Sequence, residues 1–208
     1  MRSLSLVSVF TRRKLLELYF HLNRVLASIL TWRDPYKSQK LISTRVLLHA
    51  PFGGKEGRLG AWRALVEAQK TGKVRSIGVS NYGIHHLNEL EEYINSGVGG
   101  QISVGQYEIH PWCPREDIVD WLKRRNIVVE AYSPLVQATR MQEPVLQSLV
   151  KKHNKTPAQI LIRWSLQKSR IIENTQVFDF ELSEEDMQSL KTGVDAPVCW
   201  DPARDSRL

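Results

Sequence analysis

Four short apolar runs, each ending on a polar tip and each separated from the next by a stretch with helical periodicity, constrain this chain more than any other feature. The clearest is the run from Val74 to Tyr82, in which Val74, Ile77 and Val79 give a β-branched stretch of the kind buried in parallel sheets. Gly72 and Lys73 before it read as the C-terminal end of a helix. The run closes on Ser80-Asn81, side chains that both donate and accept hydrogen bonds. In parallel α/β folds ligands bind at the carboxyl ends of strands, so a polar pair there marks a candidate site.

The other runs repeat the plan. Val46-Leu47-Leu48 predicts a strand ending at His49-Ala50-Pro51, followed by a glycine-bearing loop over 52–55 and a helix over about 59–71. A helix is predicted over 84–94, a strand over 102–109 closing on His110-Pro111, and a helix over 115–125. A strand over 127–132 then ends at Ser133-Pro134-Leu135. Strands alternating with helices imply parallel β/α units. The helical region 143–168 is split where Thr156, Pro157 and Gln159 form a capping box with proline at the first helical position, and Ser183 with its following acids starts another helix. A further helical piece is expected from Arg170, and no strand is visible after Gln167, where a β/α array calls for one.

Charge divides the chain in two. The net charge is +7, yet residues 1–45 carry nine Lys/Arg against Glu17 and Asp34, and the remainder balances. The basic, Ser-bearing start is set apart as residues 1–45, against 46–208 for the ordered unit. It fits an amphipathic helix, with a transit peptide or a basic arm as the alternatives. Nucleic-acid binding is not expected, for lack of aromatic interleaving or a known motif. No apolar run is long enough to cross a bilayer. Cys113 and Cys199 have neither disulfide-framework nor metal spacing and read as free thiols in a reducing, cytoplasmic compartment; the basic start leaves mitochondria as a minor alternative.

Taken in order, Leu47-Leu48-His49-Ala50-Pro51, Ile77-Gly78-Val79-Ser80-Asn81-Tyr82, Gln106-Tyr107-Glu108-Ile109-His110-Pro111-Trp112 and Ala131-Tyr132-Ser133-Pro134-Leu135 resemble the aldo-keto reductases over about residues 46–200. The resemblance implies an α/β fold, a partial TIM barrel lacking its first β/α units and one late strand. It also implies reduction of aldehydes or ketones, or oxidation of the matching alcohols, by NADP(H) without a metal. His49 then resembles the catalytic histidine that polarises the substrate carbonyl. Ser80, Asn81 and Gln106 look like the residues that hold the nicotinamide carboxamide, and Tyr132 like the aromatic on which the ring stacks. Ser133 and Leu135 match pyrophosphate-loop positions. Arg170, Glu173 and Asn174 match the residues near the 2′-phosphate and adenine. Trp112 and Trp200 are candidate pocket walls, and His85, His86, His110 and His153 match no catalytic position.

The departures are equally specific. The family's proton-donating Tyr and its Lys and Asp partners have no counterpart in residues 1–45, and Val136 stands where a glycine is usual. Gly105 stands where an Asn usually precedes Gln106, and Lys168-Ser169 resembles either a remnant of the family's missing phosphate-contacting strand or a fortuitous juxtaposition. The expectation is a truncated gene product acting on a small carbonyl or alcohol with impaired activity. An inactive fragment that keeps cofactor or protein binding is the alternative. The resemblance leaves the oligomeric state open.

Overall fold

The computed structural model describes residues 43–169, 179–199 and 201. Its four strands form one parallel sheet in sequence order: β1 (Ser43–Leu48), β2 (Val74–Ser80), β3 (Val104–Glu108) and β4 (Val128–Tyr132). Between them run α1 (Gly54–Lys70), α2 (Ile84–Tyr93) and α3 (Glu116–Arg124), each a crossover that lets the next strand return parallel. α4 (Pro144–His153), α5 (Pro157–Ser169) and α6 (Glu184–Ser189) follow β4.

Two helix starts form as their sequences dictate. The Thr156 hydroxyl accepts from Gln159 N while the Gln159 side chain accepts from Thr156 N, and Ser183 and Asp186 repeat the exchange at α6. α1 differs from expectation. It begins at Gly54 rather than near residue 59, because Gly53, at φ 84°, turns the chain directly into the first helical turn.

Register sorts the strand side chains onto two faces. The pairings Leu47↔Gly78↔Val104↔Val128 and Ser80↔Gln106↔Glu130 put these residues on one face, with Arg45 beside Ser76. The opposite face carries Ile77, Val79, Tyr107 and Val129, buried against Trp62 and Val66 of α1, Leu87 and Leu90 of α2, and Ile118 and Leu122 of α3. Gly78 is required on the first face. A Cβ there would collide with the Val104 carbonyl oxygen and press on Leu47, so the close approach of β2 to its neighbours depends on its absence.

The first face is concave. Although β1 and β4 are the outermost strands of the sheet, the Arg45 guanidinium reaches Glu130 Oε2 at 2.6 Å. A sheet that curls until its first and fourth strands are joined across one face has the curvature of a barrel wall. Val128, on that face, is 58% exposed.

Candidate active site at the strand tips

The carboxyl ends of all four strands are tied together by polar side chains. Asn81 follows β2 with φ 59°, a left-handed conformation that Asn tolerates, and this turn folds its amide back over the strand end. Asn81 Nδ2 donates to the His49 carbonyl oxygen at 3.0 Å and to Ser80 Oγ at 3.0 Å. The Tyr132 hydroxyl donates to Asn81 Oδ1 at 2.8 Å. Ser80 Oγ donates in turn to the Gln106 carbonyl oxygen, and Gln106 Nε2 donates to Glu130 Oε1 at 2.9 Å. Ser80 and Asn81 are buried, whereas Gln106, Glu130 and Tyr132 are half-buried.

This network fixes which atoms remain free. Both Asn81 N–H groups are committed, and its oxygen is held by Tyr132. Gln106 keeps its Oε1 and one N–H uncommitted among the described residues. Burial, reinforced by the nearby charge of Glu108, pushes the Tyr132 phenol well above its ordinary value, so it remains a hydrogen-bond donor at neutral pH. A primary carboxamide, which needs an acceptor for its nitrogen and a donor for its oxygen, is chemically matched by the uncommitted Oε1 and N–H of Gln106.

His49 stands at the tip of β1 with its side chain exposed, joined to the network through its backbone oxygen. Ser133, at φ 52°, begins the turn after β4, with its hydroxyl 3.4 Å from Cys199 Sγ. Leu135 is half-buried against the core. Val136, fully buried, adopts φ 52°, the left-handed geometry for which a glycine is suited. Arg170, Glu173, Asn174 and Trp200 lie outside the described residues, as do most of residues 1–45 and the helical piece expected from Arg170. Trp112, in the β3–α3 loop, is buried in the hydrophobic core.

The histidines without a catalytic match do structural work where their contacts are seen. His86 Nδ1 accepts from Gly83 N at the start of α2, and His153 bonds Asp186. His110 Nε2 meets Glu108 Oε1 at 2.8 Å, both side chains fully buried. Glu108 also accepts from Val198 N and Cys199 N, and the Arg115 guanidinium pairs with Asp201 at 2.7 Å. These bonds tie Val198, Cys199 and Asp201 to the end of β3 and the loop that follows it. Sequence reasoning passed over Arg45, Glu108 and Glu130. The available signal was a carboxylate inside an apolar strand, at the same alternate positions as Gln106 and Tyr132.

The aldo/keto reductase family model matches residues 32–194. The chain belongs to that family. The family match begins at residue 32, inside the basic segment, and extends through α6. A glyoxal reductase of Bacillus subtilis is 41% identical over 155 residues, 69% of this chain and 54% of the relative. A 9,11-endoperoxide prostaglandin H2 reductase of Trypanosoma cruzi is 38% identical over 171 residues, 75% of this chain and 58% of the relative. Among solved structures, the apo form of Gox0644 superposes with a TM-score of 0.68 at 28% identity, over 90% of this chain and 68% of that one. An aldo-keto reductase from a deep-sea metagenome library gives 0.62 at 33% identity, over 73% and 59%. The chain spans between half and three-fifths of the length of these curated relatives. The α/β class and the barrel-like parallel sheet agree with the TIM-barrel fold of these neighbours.

Proposed function

We propose that this aldo/keto reductase is an NADP(H)-dependent oxidoreductase of small carbonyl compounds and the matching alcohols, with its nicotinamide subsite at the tips of β1 to β4. The observation that carries the reading is the hydrogen-bonded run from His49 through Asn81 to Tyr132, flanked by Ser80 and Gln106. Ser80, Asn81 and Gln106 would hold the carboxamide, Tyr132 would present its ring to the pyridine, and Ser133 and Leu135 would border the pyrophosphate. Arg170, Glu173 and Asn174 are assigned to the 2′-phosphate and adenine, because a guanidinium offers a planar fork of donors to a phosphate. When bound, the nicotinamide supplies the hydride. His49 then orients the substrate carbonyl by donating a hydrogen bond to its oxygen, and Val198 and Cys199, held by Glu108, limit water access at the end of β3. A small aldehyde is the substrate class, by analogy with the glyoxal reductase relative. The two cysteines, neither of them in a disulfide, suit the reducing cytoplasm.

The test is a fluorescence titration of the full chain with NADPH, followed by turnover of glyoxal and a nitrobenzaldehyde. Saturable binding with turnover that is lost in His49→Ala supports the reading. No change in cofactor fluorescence overturns it. Binding without turnover selects the alternative, a chain that holds the cofactor but does not carry out the reaction. That alternative is favoured by the mutual hydrogen bonding of Ser80, Asn81 and Tyr132, which supplies no proton donor beside the exposed His49 among the described residues.

A further inference from the structure

Glu130 lies on the concave face beside Gln106 in the β3–β4 register, held from one side by Arg45 and from the other by Gln106 Nε2. A carboxylate accepts hydrogen bonds and donates none. The side-chain amide of Gln106 is therefore constrained to turn its nitrogen toward Glu130 and its oxygen away. Reversing the amide would set oxygen against oxygen. The Arg45 ion pair fixes Glu130 in turn, so orientation is passed from β1 through β4 to the tip of β3.

We propose that Glu130 is a positioning residue that locks Gln106 with its oxygen outward, and that the site thereby selects a primary carboxamide on the pyridine ring over a group that cannot donate. This rests on the nicotinamide subsite proposed above. The amide nitrogen of the cofactor donates to Gln106 Oε1, and a methyl group in its place leaves that half-buried oxygen unpaired. Loss of one such bond weakens binding by about tenfold. Without Glu130 the Gln106 amide is free to rotate and the preference disappears.

The experiment compares binding of NADPH with that of reduced 3-acetylpyridine adenine dinucleotide phosphate, in which a methyl ketone replaces the amide. Fluorescence titrations of the unmodified chain, Glu130→Ala and Glu130→Gln give the ratio of the two dissociation constants. Circular dichroism checks folding, and Glu130→Leu replaces the alanine variant if that one fails to fold. The unmodified chain is expected to prefer NADPH by about tenfold. Glu130→Ala should reduce the preference to within about threefold, and Glu130→Gln, whose amide both donates and accepts and so no longer dictates the orientation of Gln106, should also lose most of it. A purely structural role for Glu130 would weaken both ligands equally and keep the ratio, which overturns the proposal. No preference in the unmodified chain also overturns it. Failure of that chain to bind NADPH at all brings down the subsite itself.

Discussion

The Tyr132 hydroxyl donates to Asn81 Oδ1 at 2.8 Å, joining the tip of β4 to the tip of β2 over the intervening strand. The bond closes the amide network at the point where, among the described residues, Asn81 has no other donor for its oxygen. It also sets the tyrosine ring over the strand ends without help from a ligand.

Removing that hydroxyl should loosen the tip without unfolding the sheet. Tyr132→Phe is expected to cost about 1 kcal/mol, the usual net worth of one neutral hydrogen bond. A double-mutant cycle with Asn81→Gly, which accepts the positive φ of 59°, isolates the pair. Urea denaturation should return a coupling of about 1 kcal/mol. Additive losses would mean that the bond contributes nothing in solution.

The turn after β4 makes a second prediction, because a β-branched residue occupies a left-handed position. Val136 is fully buried at φ 52°. Val136→Ala gives up packing worth about 1.5–2 kcal/mol and keeps the strained backbone. Val136→Gly gives up slightly more packing but recovers about 1–2 kcal/mol of backbone strain. The glycine variant should therefore be at least as stable as the alanine variant in thermal unfolding. The reverse order would show that the turn carries no strain.

Acid should weaken the start of α2. Burial, helped by the positive charges of His85 and Arg58 and opposed by Glu89, pulls His86 down from 6.5 to about 4, and its Nδ1 accepts from Gly83 N. The folded chain thus holds a neutral imidazole where the unfolded chain holds a proton. Stability is full above about pH 6.5 and falls as pH drops toward 4. Between neutral pH and about pH 5 the loss attributable to this group is about 2 kcal/mol at most. His86→Gln keeps an acceptor for Gly83 N and does not titrate, so its urea midpoint should change less over the same interval. Parallel pH profiles for the two proteins would remove His86 as the cause.

Much of this was legible beforehand because strand tips are written locally. A β-branched run followed by Ser80-Asn81, or by Tyr132-Ser133-Pro134, carries both the strand and its polar end within a few residues. The capping box at Thr156 and the cap at Ser183 are equally local and formed as read. The start of α1 was less legible, since Gly53 and Gly54 look like a loop until the positive φ of Gly53 is known to aim the chain into a helix. Partners distant in sequence were not legible. Arg45 and Glu130 are 85 residues apart and meet only because the sheet curls. Glu108 finds Val198 and Cys199 some 90 residues on, through backbone groups that have no sequence signature.

The ion pair between Arg45 and Glu130 has a bearing on solubility. A closed eight-stranded barrel stacks branched aliphatic side chains along its axis, and a section of such a wall would ordinarily offer water a continuous oily surface. Here the opposite charges of Arg45 and Glu130, 48% and 27% exposed to water, interrupt the aliphatic inner lining of the described residues. A partner wall of aliphatic side chains would have to strip that water away, and the desolvation cost makes stray self-association through the hollow unfavourable.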